Sequence, residues 1–338
     1  MTTQTSHASA VAEDQASHLR ALFAQSGTRE RAPETRQRRH EPSQDARAAA
    51  APSAPPAWPL ARTGSPAIVA IASGKGGVGK TSLCVNLAAA MALRGRRVTL
   101  LDGDLGLANA DVLCGVKVAN HLGHLLAGRR TLQEILVPAP GGFRLLPGAS
   151  GLAAIAQAAE ERPASLLKRL APLERDTDVL IIDCGAGISK AVRSFLYAAD
   201  APIVVTTPEP TSITDAYAML KLTLADRRRQ GAVARSPWLI VNNAKNEREA
   251  FGVHRRIATV CERFVGEAPA LAGWAPTDAV VRNAVYARTP FVVGEPTSRA
   301  TRAVREIADH LADRLRLSQT PEKSGRGPIA RLLDALRS

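Results

Sequence analysis

The chain has 338 residues, 45% of them hydrophobic, which suffices for one large core with appendages. A net charge of +13 calls for an anionic partner such as a nucleotide, an acidic lipid or a nucleic acid, while 4% aromatic content argues against a stacking platform for single strands. Cys84, Cys114, Cys184 and Cys261 form no C-x-x-C pair, there is no signal-peptide core, and no apolar run is long enough to span a bilayer. The expectation is a cytoplasmic protein with reduced thiols.

Residues 1–13 are polar and read as disordered. Asp14 to Gln25 (DQASHLRALFAQ) places Leu19, Leu22 and Phe23 at helical spacing. A helix this short is marginal alone, so it docks either on its own domain or on a partner. Residues 26–66, rich in Ala, Pro and Arg, read as a flexible linker, extended where proline dominates.

A nucleotide-binding domain is expected over residues 67–318. Ile68 to Ser73 is a run of apolar and small residues, the mark of a buried parallel strand. It leads into Gly74-Lys75-Gly76-Gly77-Val78-Gly79-Lys80-Thr81, which fits the phosphate-loop pattern G-x-x-x-x-G-K-[ST]. In such a loop backbone N–H groups ring the phosphates, Lys80 reaches the β- and γ-phosphates and Thr81 ligates Mg²⁺. The helix from Ser82 to Arg94 presents its positive end to the same anion.

Arg97 to Asp102 reads as the next strand and ends in Asp102-Gly103-Asp104. Carboxylates at the C-terminal end of a parallel strand border the nucleotide crevice and can orient water or hydrated Mg²⁺. Asn120 to Pro147 should hold short helices and a strand, and Leu152 to Leu173 a helix containing Pro163. Asp178 to Asp183 (DVLIID) is a second acid-ended strand, with Asp183 expected in the Mg²⁺ shell. Cys184 to Ser189 follows as a mobile switch that can sense the γ-phosphate. Ala201 to Thr206 and Leu239 to Asn243 are further strands. Asn242 can both donate to and accept from an adenine edge. Thr297 to Leu317 reads as a helix over the sheet, and residues 319–338 as a linker followed by an amphipathic helix. Its apolar face is Ile329, Leu332, Leu333 and Leu336, with arginines on the polar side. Such a helix either docks on the domain or lies on a membrane surface.

These elements predict an α/β, three-layer phosphate-loop NTPase fold: a mostly parallel sheet, helices on both faces, a flexible N-terminal arm and a C-terminal amphipathic helix.

The second lysine, Lys75, makes GKGGVGKT similar to the deviant phosphate loop of the MinD/ParA ATPases. DGDLGLANADVL, the Gly185-Ala186-Gly187 form of the switch, TTPEPTSITDAY and Asp14-Gln15-Ala16-x-x-Leu19-Arg20 resemble the FlhG (FleN, YlxH) family more specifically. The resemblance implies an ATP-bound homodimer in which Lys75 crosses to the partner's nucleotide, with Glu209 near that interface. It implies that Asp104 sits beside the attacking water and Mg²⁺, that Asn242 reads the base, and that a loop with Pro276 and Asp278 closes over the adenine. It implies that Asp14, Gln15, Leu19 and Arg20 engage an FlhF-type GTPase and stimulate its turnover. It selects the membrane role for Ile329 to Leu336, on acidic lipids at the inner face of the cell membrane. The function so implied is ATP-dependent control of flagellar number or placement, with a flagellar transcription activator or switch-complex proteins as further partners. Two alternatives stay open: a ParA-like partition ATPase on DNA, which the N-terminal segment and terminal helix disfavour, and a module that restrains a transcription activator.

Overall fold

The computed structural model describes residues 66–104, 109–148, 163–229, 236–315 and 327–337. The expected partner-binding residues Asp14, Gln15, Leu19 and Arg20 lie outside the described residues, as does nearly all of the 26–66 segment.

Eight strands form one sheet: β1 (Ala67–Ser73), β2 (Val98–Gly103), β3 (Val137–Pro138), β4 (Arg144–Leu146), β5 (Val179–Ala186), β6 (Ala201–Thr206), β7 (Trp238–Ala244) and β8 (Ala270–Pro276). Their order is β3-β4-β2-β5-β1-β6-β7-β8, parallel throughout except for the short β3–β4 pair at one edge. Parallel strands covered on both faces need apolar residues at every position rather than alternation. AIVAIAS and VLIID meet that demand, and β1, the strand that feeds the phosphate loop, runs between β5 and β6.

One face is covered by α1 (Lys80–Ala92), α2 (Ala110–Cys114), α10 (Phe291–Gly294) and α11 (Arg299–Arg314), which share a core with Val69, Ile71 and Ile181. The other carries α3 (Leu122–Leu126), α4 (Leu132–Ile135), α5 (Pro163–Asp176), α6 (Lys190–Ala198), α7 (Pro210–Arg229) and α8 (Glu247–Val265), packed on Ile68, Ala70 and Ile182. A helix α9 (Ala279–Ala287) links β8 to α10 and has no fully buried side chain.

The strand β8 is absent from the sequence reading. ALAGWAP has few β-branched residues and no alternation, and it becomes a strand by pairing with β7. Gly273 is required there: its φ is +154°, and a Cβ would sit 2.5 Å from Ile307.

The C-terminal helix α12 (Pro328–Arg337) is docked on the domain. Ile329, Leu332, Leu333 and Leu336 are only 2, 5, 2 and 5% exposed, inserted into the core beside α5 and α6. The Ile329 N–H donates to Glu174 Oε1 (2.9 Å), and the Arg331 guanidinium pairs with Asp200 at 3.1 Å. In this arrangement the apolar face offered for a membrane is already covered. A ten-residue amphipathic helix buries its stripe wherever an apolar groove is within reach. No helix among the described residues is long and apolar enough to cross a membrane.

Candidate functional site

The phosphate loop leaves β1 and enters α1 through two glycines in the left-handed region, Gly77 at φ +81° and Gly79 at φ +84°. Any side chain would be strained there. At Gly79 a Cβ would also lie 2.4 Å from the amide nitrogen of Asn242. That amide donates to Val78 O (2.8 Å), so the end of β7 is fastened to the loop, and among the described residues no hydrogen bond is made to the Asn242 amide oxygen. Thr81 and Ser82 are half-buried in the first turn of α1.

Behind the loop, Lys80 is 6% exposed and its ammonium is bonded to Oδ1 of Asp183, which is fully buried. Burial acts to lower the Lys80 pKa, but the charge and hydrogen bond of Asp183 outweigh it and hold the ammonium above its ordinary value. The other carboxylate oxygen, Asp183 Oδ2, is buried with no hydrogen-bond partner. An orphaned anionic oxygen here is costly unless a cation completes it. Beside Thr81, with oxygen donors and no thiolate, it suits Mg²⁺.

Asp102 and Asp183 are register partners at the ends of β2 and β5. Burial, then the charge of Asp183, raises the Asp102 pKa to about 7. Asp102 accepts the N–H of Asp104 (3.4 Å) on one oxygen and of Ala110 (3.1 Å) on the other. It therefore staples both ends of the 104–110 segment, and the oxygen left open for a metal belongs to Asp183. Asp104 is half-buried against the Cys184–Ser189 switch, the second switch after the Asp102–Asp104 strand end, its Oδ1 3.7 Å from where a Gly185 Cβ would stand. That switch is tied to the phosphate loop by the Gly187 N–H, which donates to Ser73 O (2.9 Å). Burial drives the Cys184 thiol up to about 12, so it stays neutral beside Lys80 and Asp183.

Lys75 takes no part in the buried Lys80–Asp183 pair. Its ammonium donates to Glu209 (2.8 Å) and to the Thr211 hydroxyl (3.1 Å). The Ser212 hydroxyl accepts from the Thr207 N–H (3.0 Å) and fixes the turn that presents both partners. Lys75, Gly77, Glu209, Asn243, Lys245 and Thr277 line an open cleft of ≈ 470 Å³ beside the loop. Lys245 and Thr277 are absent from the sequence reading; their nearness to Asn242 and Pro276 in the chain is the signal that could have found them.

Thr277 donates its N–H to Ala244 O and its hydroxyl to Asn243 O, both at 2.9 Å. Pro276 is buried and in register with Ala244. Asp278 accepts the Val280 N–H (3.1 Å) and the Ala300 N–H (3.2 Å), which commits both carboxylate oxygens to starting α9 and α11. Each carboxylate oxygen of Asp278 thus caps the start of one helix.

A sequence family described as "AAA domain" matches residues 66–228. Antiactivator FleN of Pseudomonas aeruginosa is 39% identical over 241 residues, covering 71% of this chain and 84% of that protein. The chain belongs to the FleN/YlxH (FlhG) family of MinD-type ATPases. Flagellum site-determining protein YlxH of Helicobacter pylori is 34% identical over 202 residues, 60% of this chain and 66% of that one. Among solved structures, septum site-determining protein MinD of Pyrococcus horikoshii, complexed with Mg-ADP, superposes with a TM-score of 0.58 at 25% identity, covering 72% of this chain and 95% of that one. The phosphate-loop NTPase fold expected from the sequence is thus present, and ATP with Mg²⁺ fits the loop, Lys80 and the open oxygen of Asp183.

Proposed function

We propose that this FlhG-type chain is an ATP-driven dimerisation switch that sets flagellar number or placement. The observation that carries the reading is the pairing of Lys75. A lysine inside a phosphate loop that is held at the rim by Glu209 and Thr211, and not by the buried Asp183, supports service to a nucleotide on another protomer.

In this reading the phosphates of ATP occupy Gly74 to Thr81, against Lys80 and the first turn of α1. Thr81 and Asp183, with Asp102 and Asp104 close by, would hold Mg²⁺, which when bound would supply charge neutralisation to the phosphates. The Asn242 amide oxygen accepts from the adenine amino group while the 276–278 loop covers the ring. A second protomer closes over the cleft, Lys75 exchanges Glu209 for the partner's phosphates, and Asp104 orients the attacking water. Membrane association belongs to a released state, because Ile329, Leu332, Leu333 and Leu336 are docked here. Asp14, Gln15, Leu19 and Arg20 carry the contact to an FlhF-type GTPase.

The FleN relative supports a second reading, restraint of a flagellar transcription activator, with the same switch governing the contact.

The test measures Mg-ATP turnover and mass in solution by light scattering. Lys75→Ala should stay monomeric with ATP and lose turnover. Asp104→Ala should accumulate the ATP dimer while turnover falls at least about tenfold, a loss on the scale of a water-positioning residue. A Lys75→Ala chain that dimerises and hydrolyses normally would show that this is not a MinD-type switch.

A further inference from the structure

One buried carboxylate spans the gap between β2 and α2. Asp102 is 2% exposed at the end of β2; its Oδ1 accepts the Asp104 N–H (3.4 Å) and its Oδ2 the Ala110 N–H (3.1 Å). Ala110 opens α2, and Asn109 before it makes no side-chain cap, so Asp102 supplies from the strand the acceptor that this helix start lacks. The backbone of Asp102 is fixed as well. It is the register partner of Asp183, and a Cβ on Gly148 would fall 1.7 Å from the Asp102 carbonyl oxygen. Ala110 and Cys114 are buried on the inner side of α2, so the far anchor is also held.

We propose that Asp102 is a positioning residue, which sets the place of Asp104 and leaves the metal to Asp183. The assignment rests on the switch reading above, in which Asp104 orients the attacking water. Both Asp102 oxygens meet N–H donors, whereas Asp183 Oδ2 is buried with no hydrogen-bond partner. Of the two neighbouring carboxylates, Asp183 is therefore the one with an oxygen in need of a cation. The N–H that Asp102 accepts belongs to the residue that places the water, so loss of that bond moves the acting group itself. Misplacement by about 1 Å costs a reaction about a hundredfold in rate. It leaves ground-state binding nearly unchanged, because the nucleotide and the metal are held by other residues.

The experiment uses the full chain and rests on Asp102→Asn, which keeps the shape of the side chain and one of its two acceptors. Without nucleotide, amide hydrogen exchange at Asp104 should be at least about tenfold faster in this variant, the remaining oxygen keeping the shorter bond to Ala110. In steady-state turnover kcat should fall by about 10- to 100-fold, while KM for ATP and the half-saturating Mg²⁺ concentration change by less than about twofold. The cycle with Asp104→Ala shows how the loss arises. In that background Asp102→Asn should lower kcat by less than about twofold, because the group through which it acts is gone. Losses that multiply in the double variant would overturn the proposal. A half-saturating Mg²⁺ concentration raised at least about tenfold by Asp102→Asn would place Asp102 in the metal shell and overturn it too. So would amide exchange that Asp102→Asn leaves unchanged at both Asp104 and Ala110. An unmodified chain without Mg-ATP turnover, or an Asp104→Ala chain with full turnover, overturns the switch reading and this assignment together.

Discussion

Lys75 and Glu209, 134 residues apart, are bonded at 2.8 Å across the rim of the cleft, so the signature lysine is held by its own protomer. In the proposed switch, closure of the dimer breaks this pair. Exposed ion pairs are worth about 0.2–1 kcal/mol, which sets the scale of the effect. Glu209→Gln should therefore lower the ATP concentration for half-dimerisation by about 1.5- to 5-fold, with turnover per dimer little changed. The check is light scattering across an ATP titration. A rise in that concentration would mean that Glu209 serves the dimer and does not restrain it.

Lys80 and Asp183 form a buried pair, and removal of one partner leaves the other charge stranded. Asp183→Ala should cost about 3–5 kcal/mol in denaturant unfolding. Adding Lys80→Met should return most of that loss while Mg-nucleotide binding stays absent. If the double variant is no more stable than the single one, the pair is not what the single substitution disturbs.

Asp200 accepts the Ile68 N–H on one oxygen and pairs with Arg331 of α12. Asp200→Asn keeps an acceptor for the strand and drops the charge that holds the helix. The expected outcome is more binding to anionic vesicles without nucleotide, with a loss of stability under about 1 kcal/mol. Unchanged vesicle binding, together with unchanged proteolysis of the C-terminal segment, would show that this pair does not control docking.

His121 caps α3 by accepting the Gly123 N–H at Nδ1 (3.2 Å), and its own N–H donates to His124 Nδ1 (3.2 Å). Burial, then the neighbouring His124, lowers the His121 pKa below the usual value near 6.5. The neutral ring is the form that caps. Its contribution is complete above pH 6.5 and is lost as pH falls through the depressed value in the folded state. The unfolding temperature should therefore fall as the pH is taken below 6.5. His121→Asn, which caps without titrating in that range, should flatten this part of the profile. An unaltered profile would assign the loss to other groups.

Much of the site was legible because its chemistry is local. The phosphate loop, the acid-ended strands and Asn242 each lie in a short segment whose residue types admit few structures. What escaped depended on contacts between distant segments. Asp278 sits in the expected loop, yet the N–H groups it meets come from α9 and α11, and only the packed structure makes its carboxylate a cap. The strand β8 owes its conformation to β7 rather than to its own residues. The stripe of α12 reads the same for a bilayer as for a groove. The groove itself is built by α5 and α6, more than a hundred residues earlier in the chain, and no periodicity within ten residues can announce it.

The helix α6 has a position that joins the two halves of the proposed cycle. It starts at Ser189, whose hydroxyl accepts the Val192 N–H at the end of the second switch, and its flank forms part of the seat for α12. Nine residues of helix make a bar about 13 Å long. Close-packed interiors resist gradual deformation and favour jumps between arrangements. A tilt of this bar, set by what the switch grips, would leave the seat either fitted to Leu332 and Leu336 or too misshapen to hold them. Nucleotide state could thus act on the distant end of the molecule as a lever acts on a catch, with no need for the sheet itself to bend.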